Sequence, residues 1–166
     1  MTVVRVAVEQ SLVEAELARL NAEYWFRVDR PEAGSVAQLY ADEGRMVFGD
    51  FRVEGQASIE AFFLARNARR PTRTTRHVSS GLRVAVQSFD CACVHSVVTV
   101  YSGPGVSPLE IGPPSSVVDF TDICIRRDGR WVYAERCGSA IFVGPGAAPF
   151  LLGQLPPQHP WRTAVP

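Results

Sequence analysis

An α+β fold, with helices first and an antiparallel sheet after them, is predicted by three observations. Apolar residues early in the chain recur at helical spacing, β-branched segments fill most of residues 77–143, and the two patterns do not alternate. Segregation of this kind indicates α+β rather than βαβ units. A sheet curving around the helices would leave a closed-ended pocket between the two layers. The 166 residues, 46% of them hydrophobic, suit a single domain and are too apolar for a disordered chain.

Ser11-Leu12-Val13-Glu14 reads as a capping box opening the first helix. Val13, Leu17, Leu20 and Tyr24 then form one apolar stripe at spacings of four, three and four. Pro31 suits the first turn of a second helix carrying Val36, Leu39 and Tyr40, which puts Asp29 at the junction. Residues 45–51 and 51–54 read as a short hairpin around Gly49-Asp50. Ile59, Phe62 and Phe63 mark a third helix, followed by an arginine-rich stretch from Arg66 to Arg76 that contains Pro71. Four long strands follow at 77–88, 91–101, 116–126 and 130–143, the last two joined by the hairpin turn Asp128-Gly129. The expected domain is residues 1–143. The tail, residues 144–166, holds six of the twelve prolines along with Phe150, Leu151, Leu152 and Trp161. It is expected to lack regular structure but to pack on its own or a neighbouring subunit, being too apolar to hang in water.

Composition excludes several functions. The 17 basic and 17 acidic residues balance, so no electrostatic footprint for nucleic acid or an anionic membrane exists. All the basic residues are Arg, which removes Schiff-base chemistry and the P-loop lysine. Cys91, Cys93, Cys124 and Cys137 form no C-x-x-C pair, and buried free thiols are expected. The sequence reads as having neither a secretory leader nor a membrane-length apolar run, and the expected location is cytoplasmic.

Three histidines can be weighed singly. His159 lies in the Pro-rich tail and His95 in mid-strand beside Cys93 and Val97, where packing is the expected role. His77 opens the first long strand, where a general base can meet substrate on rigid backbone. Such a base needs a carboxylate to fix its tautomer and stabilise the imidazolium. Asp29 is read either as that partner or as a helix cap. Arg136, counted by twos, shares a strand face with Val132, Ala134 and Ala140, and is either an anion-binding group or a surface residue. Tyr24 is on the core stripe, and its hydroxyl would need a partner if buried. Asp119 and Asp122 are three apart on one strand, so at most one faces the pocket, where it would compete with His77 as base.

The run Leu39-Tyr40-Ala41-Asp42-Glu43-Gly44, then 55–63 (GQASIEAFF), Thr75-Arg76-His77 and Arg127-Asp128-Gly129-Arg130-Trp131 together resemble the SnoaL-like branch of the NTF2-like superfamily over residues 12–143. The resemblance implies a cone: a strongly curved antiparallel sheet with N-terminal helices closing a deep pocket. Within that branch the chain is similar to scytalone dehydratase, bile-acid 7α-dehydratase and hexachlorocyclohexane dehydrochlorinase, in which an Asp ending the first helical region pairs with a His opening the first long strand. Asp29 and His77 occupy those places, Tyr24 matches a Tyr five residues before the Asp, and Arg136 matches a pocket Arg after the Asp-Gly-x-Trp motif.

What the resemblance implies is a cofactor-independent lyase (dehydratase-like) or isomerase. It would abstract a proton from a small apolar ring compound such as a steroid, polyketide or aromatic precursor. His77 would be the base, Asp29 its partner, Tyr24 a donor to a carbonyl or leaving hydroxyl, and Arg136 a stabiliser of leaving-group charge; no metal is called for. A homo-oligomer, trimer or dimer, is expected from the same kinship. The alternative is a non-catalytic binding or assembly module, like the β subunits of ring-hydroxylating dioxygenases. In that case side chains would fill the pocket and Asp29 would not touch His77.

Overall fold

A computed structural model describes residues 3–69 and 71–158, with side chains from Val8 onward. Helix α1 spans Val3–Asp29 and is followed by two short 3₁₀ turns, Pro31–Ala33 and Ala37–Leu39. The hairpin β1 (Tyr40–Phe48) and β2 (Phe51–Glu54) comes next, then helix α2 (Gln56–Ala68). Four long strands complete the sheet: β3 (Arg73–Ser88), β4 (Cys91–Pro104), β5 (Ser116–Arg127) and β6 (Arg130–Val143). A final helical turn, α3, spans Pro149–Leu152.

The six strands form one curved sheet in the order β2-β1-β6-β5-β4-β3. Every neighbouring pair is antiparallel except β1 with β6, which run parallel. The expected wholly antiparallel sheet is therefore corrected. β1 and β6 are not joined by a hairpin, since α2 and four strands intervene, and nothing in the connection forces them to oppose.

α1 lies against the sheet through the stripe read from its spacing, with Leu17, Leu20 and Tyr24 buried and Val13 partly so. Ser11 is not its start. No Gly or Pro interrupts residues 3–10, so the helix runs through that position. The helix expected after Pro31 is reduced to a three-residue turn. Gly34, at φ 127°, stands where a right-handed helix cannot continue, and Tyr40 opens a strand instead. The Asp128-Gly129 turn has both residues at positive φ, 50° and 76°, as a tight hairpin requires. Among the described residues no helix is long and apolar enough to cross a membrane.

The core is aromatic. Tyr24, Trp25, Tyr40, Phe48, Phe63, Phe120, Trp131 and Tyr133 are buried, most in edge-on contact with one another. The cysteines are free thiols, but only Cys124 is buried; the others are half-exposed, which corrects the expectation for them. Despite its prolines the tail does form regular structure at α3. Pro149 stands at the start of that turn, where its missing N–H is not needed. Phe150 packs on Phe48 and Phe51, and the Gln154 carboxamide accepts from Ala140 N at 2.8 Å and donates to Gly138 O at 3.3 Å.

Gly138 sits under the Phe48 ring so closely that an added Cβ would lie 2.2 Å from Phe48 Cε1. Gly138→Ala is therefore expected to lower stability by about 1–3 kcal/mol through overpacking. Urea denaturation checks this, and an unchanged midpoint would show that the ring moves freely.

Candidate active site

A cavity of about 750 Å³ opens between α1, α2 and the sheet, within the roughly 300–1,000 Å³ range of small-molecule sites. Its deep part is apolar, walled by Trp25, Val28, Met46, Phe63, Val118 and Phe120. Segment Ala147–Leu151 closes one side.

Asp29 is the last residue of α1, not the cap of a following helix. A carboxylate there is opposed by the helix dipole, whose C-terminal end is negative, so its partners must come from elsewhere. They come from β3. His77 Nδ1 lies 2.6 Å from Asp29 Oδ1, the His77 backbone N–H donates to Oδ2 at 2.9 Å, and the Thr75 hydroxyl donates to Oδ1 at 2.9 Å. Thr75 and His77 are two apart on one strand, which puts both on the same face. The Asp29 side chain is 3% exposed and that of His77 12%. Burial alone would lift the Asp29 carboxyl, but the hydrogen bonds and charge of His77, with Thr75, hold it below the usual carboxylate value. Burial pulls the His77 imidazole below its ordinary value, and Asp29 recovers only part of the fall. The ring is thus neutral at physiological pH, with Nδ1 committed to Asp29 and Nε2 left as the basic nitrogen. Trp25 stacks on it, centroids 4.5 Å apart at an interplanar angle of 15°, and both rings line the cavity.

Tyr24 lines the cavity one helix position before Trp25. Its hydroxyl accepts from Tyr40 Oη at 3.3 Å and approaches Met46 Sδ at 4.0 Å. Burial raises its pKa, so it stays a protonated donor.

Arg136 is not where spacing put it. The β5–β6 pairing slips between Ile123↔Glu135 and Cys124↔Tyr133, leaving Ala134 as a β-bulge. One extra residue reverses the alternation, so Arg136 shares the inner face with Trp131 and Tyr133 rather than with Val132 and Ala134. It is wholly buried, boxed by the rings of Tyr24, Tyr133, Trp25 and Phe120 with Cζ-to-centroid distances of 3.8, 4.5, 4.7 and 4.8 Å. It does not line the cavity but lies behind the aromatic wall that does. The expected direct contact with a leaving group is thereby corrected.

Asp122, directly across from Arg136 on β5, is the inward one of the two aspartates; Asp119 is exposed. Asp122 Oδ2 stands 3.2 Å from Arg136 Nη2, both side chains being wholly buried. Burial pushes Asp122 up to about 6 even with Arg136 beside it. It too is absent from the cavity lining, so it does not compete with His77. Asn21 ties this pair to the dyad: its Oδ1 accepts from Arg136 Nη2 at 3.1 Å and from Trp25 Nε1 at 3.2 Å, and its Nδ2 donates to Ser79 Oγ at 2.8 Å. Sequence assigns no role to Trp25 or Asn21, and Thr75 enters it only within the run Thr75-Arg76-His77, although its place two residues before His77 puts it on the same strand face. His95 is exposed on the outer sheet face near Thr121 and Cys93. His159 lies outside the described residues. Among the described residues no cluster of three or more His, Cys, Asp or Glu could hold a metal ion.

The family model of the SnoaL-like domain matches residues 9–137. This chain belongs to that family. No curated protein matches the domain in sequence. Solved structures similar to this SnoaL-like domain include a candidate scytalone dehydratase from Novosphingobium aromaticivorans, with TM-score 0.67 and 19% identity over 85% of this chain and 99% of that one. An NTF2-like protein with a cystatin-like fold, from the same organism, superposes with TM-score 0.65 and 21% identity over 89% and 93% of the two chains. A Catenulispora acidiphila protein in complex with S-DNPA superposes with TM-score 0.65 and 19% identity over 78% and 94%. At these identities the likeness is one of fold, and it agrees with the α+β cone expected for the SnoaL-like domain.

Proposed function

We propose that this SnoaL-like domain is a lyase or isomerase that removes a proton from carbon in a small ring compound. The observation that carries the reading is the 2.6 Å contact of Asp29 with His77, both lining a cavity whose deep part is apolar and which is open to ligand. In the proposed reaction His77 Nε2 takes the proton, and the C–H electron pair forms a new double bond. In elimination a hydroxyl leaves, taking the proton back from the imidazolium as water; in isomerisation the proton returns to another carbon. Asp29 stabilises the imidazolium, and the Tyr24 hydroxyl donates to a carbonyl or departing oxygen. One such donor in a water-poor site can contribute about 3 kcal/mol. Arg136 acts through the Tyr24 ring, as a fixed positive charge behind the donor. An assembly module would need neither an open cavity nor the dyad. The solved relative that holds S-DNPA is consistent with a ligand in this fold.

Deuterium uptake tests the reading. The protein is incubated in ²H₂O with a panel of β-hydroxycarbonyl ring compounds, and mass spectrometry reads loss of water from the substrate together with solvent deuterium in substrate or isomerised product. Asp29→Asn is expected to slow exchange by about 10–100-fold. It also removes the group that pulls the His77 pKa upward, so the acid limb of the pH–rate profile, already below the ordinary histidine value, moves to lower pH. An acid limb that stays in place, or moves up, would deny Asp29 its role.

A further inference from the structure

Charge balances over the whole chain but not around the cavity. Five arginines line it, Arg30, Arg66, Arg69, Arg73 and Arg76, against two carboxylates, Asp29 and Glu32. Asp29 is already committed to His77 and Thr75, with Arg76 Nη1 at 3.6 Å.

Two of these guanidiniums are held by neutral acceptors. Arg66 donates to Val28 O at 3.1 Å, Asn67 Oδ1 at 3.1 Å and Thr75 Oγ1 at 3.2 Å. Arg73 donates from Nε and Nη2 to Ser102 Oγ, at 3.2 and 2.9 Å, and from Nη2 to Gly146 O at 3.4 Å. The cavity tail presses on Arg73 so closely that a Cβ on Gly146 would lie 2.9 Å from Nη2. Both forks are thus held in place beside the cavity by neutral acceptors, with Asp29, already bonded to His77, the carboxylate that acts on Arg66, an arrangement suited to an oxyanion. Arg73, Thr75 and His77 also share one face of β3, which sets Arg73 about 13 Å along the strand from the imidazole.

We propose that the cavity takes an anionic amphiphile: an apolar ring body against the aromatic wall, and a carboxylate or phosphate group held by Arg66 and Arg73. The inference rests on the cavity being the substrate site, and it narrows the ligand from any apolar ring to one bearing an acid, with Arg73 on the side remote from the imidazole and Arg66 nearer to it, beside Thr75.

The test titrates the whole protein calorimetrically with 1-naphthylacetate, 1-naphthyl phosphate and the neutral 1-naphthylacetamide. At least one anion is expected to bind about tenfold or more tighter than the amide at low salt, with the advantage shrinking as salt is raised. The two anion arms tell a carboxylate site from a phosphate site. Arg73→Gln, at an exposed position, is expected to remove most of that preference while leaving amide affinity alone; Arg66→Gln gives a second reading. Equal binding of all three probes, binding of none, or full anion preference retained in both variants would overturn the inference. His77→Gln separates it from the reaction: a variant that keeps both the preference and wild-type deuterium exchange sinks the proposed chemistry and leaves the anion site standing.

Discussion

His77→Gln lowers solvent-deuterium exchange and turnover by about 10²–10⁴-fold, the usual contribution of a positioned general base, while the cavity keeps its ligand. The expectation follows from the division of labour on the ring. Nδ1 is tied to Asp29 at 2.6 Å, Trp25 fixes the ring plane, and Nε2 alone can receive a proton. Glutamine retains polarity and some of the bulk but cannot accept a proton at neutral pH. Binding of the naphthyl probes should therefore change little while exchange collapses. A variant that exchanges at the wild-type rate would leave the imidazole a packing residue and the cavity a binding site.

Arg136→Met destabilises the fold by about 3–5 kcal/mol, because it strands a buried carboxylate, against a total stability of roughly 5–15 kcal/mol for a domain of ordinary size. Asp122 is 0% exposed, and neither of its oxygens finds a hydrogen-bond donor among the described residues beyond the ion pair itself. The sign with pH is fixed by the direction of its shift. Its pKa is raised to about 6 in the folded chain, against about 3.9 when unfolded. Its contribution is therefore complete below the unfolded value and lost as pH rises towards 6. Without Arg136 the folded value climbs further, so the deficit of the variant is larger at pH 8 than at pH 5. The double variant Arg136→Met, Asp122→Leu recovers most of the loss, since a well-packed apolar pair avoids burying either charge. Urea midpoints at the two pH values measure both effects. A single variant as stable as wild type would mean that water reaches Asp122.

Much of this arrangement was readable before any coordinates. The four long strands carry dense β-branched sequence bounded by turn residues, so their spans emerged within a few positions. Asp29 and His77 were legible as candidates because they sit at ends of elements, one closing a helix and one near the start of a strand; their pairing came from the family resemblance, since on local sequence Asp29 reads as well as a helix cap. The face of Arg136 was not accessible. Counting by twos assumes an unbroken ladder, and the extra residue at Ala134 is a property of two strands in register, invisible in either alone. The helix expected after Pro31 failed for a local reason that was present in the text of the chain: Gly34, three residues on, ends it. Trp25 escaped notice because one position from Tyr24 it reads as another core aromatic; only the strand brought against it makes it the platform for His77.

The order β2-β1-β6-β5-β4-β3 places the strand made last at an interior position, between the β1–β2 hairpin and β5. During synthesis β1 can pair with β2 alone until residue 136 or so has left the ribosome, and β5 waits with one side bare. The β1–β2 hairpin therefore cannot be joined to β3, β4 and β5 co-translationally until nearly the whole domain exists. Chain-terminating lesions late in the message would leave two separate, sticky ribbons rather than a smaller working protein.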